Sequence, residues 1–226
     1  MNIITISLKR AEERRNNIQE QFKKLNLDNI IMDAVDAKEL TEEQLNKYIS
    51  PGGWRAGEKF KPGEIACTMS HIKAIELAQS NNWDYVIILE DDAIIAEDFE
   101  KRIKFLFKIL PQDWEHVYLS GIPHYENTNY NESLLKNTVA VYPSMPNVEC
   151  TLAMMIRNTA YDKIKNYLNT FTTTTDDMYM RMIKNKLIKS YIYHPFCVYA
   201  KDDYTYIWNI NITREHKSKL WFKNKI

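Results

Sequence analysis

The chain reads as an α/β protein built on a mostly parallel sheet flanked by helices, and two observations carry that expectation. Short apolar runs alternate with amphipathic stretches of helical period along most of its length. One of those runs, Tyr85-Val86-Ile87-Ile88-Leu89, shows no polar alternation and passes directly into Glu90-Asp91-Asp92. A β-branched run of this kind suits a strand buried on both faces in the middle of a parallel sheet. In open α/β sheets ligands bind at the carboxyl ends of such strands, so the acidic triplet stands at a binding position.

The elements follow in order. Ile3 to Leu8 is a first strand, and Glu12 to Leu25 a helix with Ile18, Phe22 and Leu25 on one stripe. Asn29 to Val35 supplies a second strand. Thr41 to Tyr48 is a short helix capped by Thr41, with Gln44 at the capping-box position. Ser50-Pro51-Gly52-Gly53 is the strongest break, and a mobile loop is expected around residues 50–63. Glu64 to Gln79 carries Ile65, Met69, Ile72 and Ile75 at helical spacing and leads to the strand that ends in the triplet. The next helix runs from Glu97 to Leu110, and His116 to Leu119 is a strand closed by Ser120-Gly121. Tyr125 to Asn137 is polar and predicts an irregular loop. Val139 to Tyr142 and Thr151 to Ile156 predict strands, Thr159 to Leu168 and Met178 to Leu187 helices, and Tyr191 to Val198 a last strand before a basic tail.

Composition narrows the class. The chain has 226 residues, 45% of them hydrophobic, enough for an ordinary core, and a single domain over residues 1–226 is expected. Thirty basic and thirty acidic residues cancel, which removes any general electrostatic case for nucleic acid. The N-terminus lacks the basic and long apolar segments of a signal peptide, and no run is long enough for a membrane span. Cys67, Cys150 and Cys197 are odd in number and widely spaced, which suits buried thiols better than a disulfide framework. A cytoplasmic location is the resulting expectation.

Chemistry concentrates at the triplet. Two carboxylates about 4 Å apart repel by roughly 4 kcal/mol at a partly screened site, so crowding them invites a hard divalent cation. The other reading, a helix cap, is disfavoured because Ala93 to Ala96 intervene before the better start at Glu97-Asp98. Leu8-Lys9-Arg10 and Arg14-Arg15 place basic groups where the first strand hands over to a helix, a crest that can hold a nucleotide diphosphate; a solvated helix face accounts for the same residues. His71 can donate to a phosphate or sugar, or satisfy a buried neighbour. Cys67 reads as helix packing. Trp54 and Trp208 can stack on sugar faces, although core packing is the commoner use of aromatics.

Taken in order, these segments resemble glycosyltransferase family 25, which includes lipooligosaccharide galactosyltransferases and the collagen galactosyltransferase domains. The resemblance rests on Ile6-Ser7-Leu8 with Arg10 and Arg14-Arg15, Ala34-Val35-Asp36-Ala37, Gly63 to Cys67 with Ser70-His71, and Leu89 to Ala93. It continues through Thr151 to Ile156 with Ala160, Asp176-Asp177 and His194-Pro195. Ser7, Ala37 and Ala66 stand where the family pattern has Asn, Gly and Gly, and Ala200-Lys201 replaces a Gln region.

The resemblance implies a GT-A type nucleotide-diphospho-sugar transferase fold with a Rossmann-like sheet. It also implies a uridine diphosphate (UDP) hexose donor, Mn²⁺ as cofactor, a saccharide or hydroxylated protein acceptor, and transfer with inversion. In that picture Glu90-Asp91-Asp92 resembles a DxD motif, with Asp92 the direct metal ligand and Glu90 or Asp91 reaching the ribose or a metal-bound water. Ser7, Leu8, Arg10, Arg14, Asp36 and His71 complete the donor set. His194 would add a metal or diphosphate contact, although His before Pro is equally a packing residue. Asp176 or Asp177 would be the base, and a helix-cap role is the competing reading for this pair. The rivals in function are a non-catalytic nucleotide-sugar or glycan-binding module on the same scaffold and a metal-dependent phosphohydrolase.

Overall fold

The computed structural model describes residues 1–47, 60–123, 140–143, 148–200, 203–205 and 210–212. Residues 50–59 of the loop expected around 50–63, the Tyr125 to Asn137 loop, Trp54, Trp208, Lys201 and the basic tail lie outside the described residues, and Pro62 and Gly63 of the 50–63 loop belong instead to a helix.

Strand β1 (Ile3–Ser7) leads into α1 (Glu12–Leu25), as its apolar stripe predicts, with Ile18 and Phe22 buried. Asn26 ends this helix in the left-handed conformation, φ 53°, which asparagine tolerates better than most residues. β2 (Ile30–Asp33) and a short 3₁₀ turn at Ala37–Glu39 precede α2 (Glu42–Lys47). The capping box of α2 is the one expected: Thr41 N–H donates to Gln44 Oε1 at 2.9 Å and Gln44 N–H to Thr41 Oγ1 at 3.2 Å.

Helix α3 (Pro62–Ser80) starts two residues earlier than its apolar stripe predicts. Pro62 suits the first turn, where no N–H is required, and Glu64 accepts the Lys61 amide at 2.9 Å. β3 (Tyr85–Glu90) and β4 (Ala93–Ile95) follow, then α4 (Phe99–Ile109) and β5 (His116–Tyr118). The remaining elements are β6 (Ile122–Pro123), β7 (Ala140–Pro143), β8 (Val148–Glu149), β9 (Ala153–Arg157), α5 (Asn158–Leu168), α6 (Thr175–Lys184), β10 (Ser190–His194), β11 (Val198–Ala200), β12 (Asp203–Thr205) and β13 (Ile210–Ile212).

The main sheet has seven strands in the order β2-β1-β3-β9-β5-β10-β7. β1 pairs in parallel with β2 and β3, and β5 with β10, whereas β9 runs antiparallel to both its neighbours and β7 antiparallel to β10. Five strands therefore point one way and two the other, so the sheet is mixed though mostly parallel. The β3 strand corrects its expected setting: it is central and buried, but only one of its neighbours is parallel.

Alternation along the strands divides the core in two. Ile4, Ile6, Val86, Ile88, Met154 and Ile156 face a cluster with residues of α3, α5 and α6. Ile3, Ile87, Leu89, Ala153 and Met155 face a second cluster with Ile18, Phe22, Phe99, Ile103 and Leu106 of α1 and α4. Both faces of β3 are thus dry, which is why its sequence lacks alternation.

Two further boundaries differ from expectation. Tyr191 to Val198 is not one strand: β10 ends at His194, Pro195 intervenes, and Val198 starts β11, which leaves the main sheet to pair antiparallel with β4. Helix α6 begins at Thr175 rather than Met178, because Thr174 serves as its N-terminal flanking residue. Asp176 and Asp177 therefore lie inside the first turn instead of preceding the helix.

Candidate functional site

Three strand ends and one helix face enclose a pocket. β1 delivers Ser7 and Leu8, the segment after β2 delivers Asp36, and β3 delivers Glu90, Asp91 and Asp92. Arg10 and Arg14 close one side, and His71 comes from α3. The wall is fixed by the backbone: Ala34 N–H donates to Ser7 O at 2.8 Å, and Val35 N–H to Ser70 Oγ at 2.9 Å, which ties the exit of β2 to α3.

The three carboxylates have different surroundings. Asp91, 9% exposed, accepts the Ser7 hydroxyl at 2.6 Å and pairs with Arg14 Nη1 at 3.0 Å. Burial pushes its carboxyl above the usual range, against the opposing pull of Ser7 and Arg14. Glu90 accepts the Thr151 hydroxyl at 2.6 Å, and its Oε1 stands 3.4 Å from His71 Nε2. Asp92 is 9% exposed and lies on the pocket wall. Asp91 and Asp92 are the entire connection between β3 and β4. Gln21 of α1 secures the far side by donating to Ala93 O at 2.9 Å and accepting Ile95 N–H at 2.8 Å.

The basic crest is also paired. Arg10 Nε reaches Asp36 Oδ2 at 2.5 Å, which together with the Lys38 amide holds the Asp36 carboxyl below its ordinary range. Arg15 points elsewhere, donating to Ser7 O and Leu8 O and pairing with Asp33. It braces the strand end.

Asp176, Asp177 and His194 are not among the pocket-lining residues. Asp177 accepts the Thr173 hydroxyl at 2.6 Å and pairs with Arg181 one turn on at 3.2 Å. Asp176 accepts the Thr174 hydroxyl at 2.7 Å, and its charge is felt by the Cys67 thiol on the pocket wall. The neighbouring Thr175 joins α6 to α3, lying 2.8 Å from Thr68 Oγ1 and 3.5 Å from Cys67 Sγ. His194 is buried at the end of β10.

Sequence reasoning singled out the Gly63 to His71 segment and placed His71 in the donor set, but gave its small residues no part in the site. Gly63, Ala66, Cys67 and Ser70 line the pocket beside His71. Cys67 therefore does more than pack a helix. The signal was present: these positions recur at spacings of three and four, and all but His71 are small, which leaves room for a ligand.

The oxygen donors of Glu90 and Asp92 suit a hard divalent cation, the class to which Mn²⁺ belongs. Asp91 is committed to Ser7 and Arg14 and suits the role less.

Residues 1–180 match the family described as glycosyltransferase family 25 (LPS biosynthesis protein). The lipooligosaccharide biosynthesis protein lic2B of Haemophilus influenzae is 37% identical over 97 residues, 42% of this chain and 35% of that protein. Human procollagen galactosyltransferase 2 is 29% identical over 126 residues, 52% of this chain and 20% of that one. Mouse inactive glycosyltransferase 25 family member 3 is 26% identical over 125 residues, 52% of this chain and 21% of that protein. The aligned stretches thus span about a fifth to a third of these relatives. No helix among the described residues is long and apolar enough to cross a membrane. The family match runs from the Ser7 crest through the α3 face and the acidic step to α6, more than half of the chain, and the chain therefore belongs to glycosyltransferase family 25.

Proposed function

We propose that the chain is an inverting, Mn²⁺-dependent hexosyltransferase of GT-A type, moving galactose or glucose from a UDP-sugar to a hydroxyl of a saccharide or hydroxylated protein. The observation that carries this reading is the convergence of Glu90, Asp92, Arg10 and Arg14 on one pocket at the ends of β1 and β3. Diphosphate oxygens need positive charge and donors, and the sheet end supplies both. Asp92, with Glu90 beside it, would hold the metal, which when bound neutralises charge developing on the departing diphosphate. Asp36 and His71 line the same pocket and would position the nucleoside and sugar.

Transfer also requires a base for the acceptor hydroxyl, on the sugar face opposite the leaving group. We assign that role to Asp176, because Asp177 is already engaged by Arg181 one turn on and by the Thr173 hydroxyl. Names among the relatives support both a lipooligosaccharide and a protein acceptor.

The test is donor consumption. With Mn²⁺, the purified chain is expected to consume UDP-galactose or UDP-glucose and release UDP, with a chelator stopping the reaction. Asp92→Ala is expected to lower the rate by roughly 10²-fold or more while the thermal transition persists. No consumption of any UDP-hexose across a broad acceptor panel would sink the assignment. Nucleotide-sugar binding without turnover would instead identify a binding module, the reading favoured by the relative named inactive.

A further inference from the structure

The α3 face carries Cys67, to which the proposed donor reading gives no role. Cys67 and His71 are four positions apart, about one helical turn, and project from the same face. Glu90 meets them from the end of β3. One ligand atom from each residue lies within 4.8 Å of the other two: a thiol sulfur, an imidazole nitrogen and a carboxylate oxygen. His71 is 1% exposed, and its Nδ1 has no hydrogen-bond partner among the described residues. Its Nε2 is 3.4 Å from Glu90, long for a hydrogen bond. All three side chains open on the pocket.

We propose that Cys67, His71 and Glu90 form a site for a thiophilic divalent cation of the Zn²⁺ class, which shares Glu90 with the hard-cation position at Asp92. Zinc accepts sulfur, nitrogen and oxygen together in tetrahedral sites, and three protein ligands leave a fourth position facing the pocket. Manganese and magnesium prefer oxygen and gain little from a thiol, so the two positions select different ions. Ligation replaces the thiol proton of Cys67, which leaves to solvent, and the ion supplies positive charge where a carboxylate otherwise faces the sulfur.

Glu90 belongs to both positions. A zinc ion held by Cys67 and His71 therefore withdraws Glu90 from the donor side and narrows the pocket, which makes zinc an antagonist of nucleotide-sugar binding. The antagonism rests on the proposed donor reading; the ion binding itself does not.

The experiment uses the untagged chain and Co²⁺ as a spectroscopic stand-in for Zn²⁺. Titration is expected to raise a sulfur-to-cobalt charge-transfer band with tetrahedral visible bands, saturating at one equivalent and reversed by Zn²⁺. Cys67→Ser is expected to lose the charge-transfer band, while Cys197→Ser and Asp92→Asn keep it. Should Cys67→Ser fail to fold, X-ray absorption on the zinc-loaded native chain decides: one sulfur at about 2.3 Å among nitrogen and oxygen neighbours at about 2.0–2.1 Å is expected. No charge-transfer band in the native chain, a band that survives Cys67→Ser, or a zinc shell of nitrogen and oxygen alone overturns the proposal. A chain that binds zinc in this way but turns over no UDP-sugar refutes the transferase reading and leaves the metal site standing.

Discussion

The Ser7 hydroxyl lies 2.6 Å from Oδ2 of Asp91 and joins residues 84 positions apart at the ends of adjacent strands. With Arg14 on its other oxygen, Asp91 locks the crest of β1 to the acidic step. The middle carboxylate of the triplet is thus a brace for its two neighbours.

That brace is measurable. Ser7→Ala removes one hydrogen bond to a charged group and is expected to cost about 1.5–3 kcal/mol in urea unfolding. Asp91→Ala leaves Arg14 without its buried carboxylate and is expected to cost about 3–5 kcal/mol. A double-mutant cycle should show the two losses to be strongly non-additive, because both act on one network. Additive losses would show that the two side chains act independently.

The aspartates of α6 should separate by readout. Asp176→Asn is expected to lower transfer by roughly 10²- to 10⁴-fold while donor affinity, measured by calorimetry, is unchanged. Asp177→Asn breaks a partly exposed pair with Arg181, worth about 0.2–1 kcal/mol, and is expected to lower the thermal midpoint more than the rate. The reverse pattern would move the base to Asp177.

His116 sets an acid limit on stability. It is fully buried, stacked on Tyr179 and hydrogen-bonded through Nδ1 to Ser190 at 2.8 Å, and burial pulls its pKa down from 6.5 to about 3. The unfolded chain therefore binds a proton that the folded chain refuses, so stability falls as pH drops from 6.5 towards 3. The slope from this residue is at most roughly 1.4 kcal/mol per pH unit. Urea midpoints across that range should fall less steeply in His116→Phe than in the parent chain.

Gly121 is held by space. A Cβ there would sit 2.6 Å from Cγ1 of Val148, a fully buried side chain. Gly121→Ala is expected to destabilise by about 1–3 kcal/mol in denaturant titration, and pairing with Val148→Ala should recover part of the loss.

What the sequence made legible was local. The α1 stripe and the Thr41 capping box are written in neighbouring residues, and both appear as read. The dry character of β3 was equally plain, but the antiparallel placement of β9 beside it depends on residues more than sixty positions away. The break between β10 and β11 had a local signal in Pro195, which cannot donate to a strand ladder, but the pairing of β11 with β4 depends on residues about a hundred positions away. At the pocket, acidic and basic residues drew attention because their types suggest chemistry. Gly63, Ala66 and Ser70 carried part of the resemblance but were given no site role, because their contribution is the room they leave.

All the lining side chains described for the pocket fall between Ile6 and Asp92, while β5, β9 and β10 of the same sheet come from the later part of the chain. Changes after Asp92 leave the described lining unaltered but reach its support, as through the Thr151 hydroxyl on Glu90, and the proposed base Asp176. A hybrid gene joined just beyond the codon for Asp92 would carry the described lining whole into a new background.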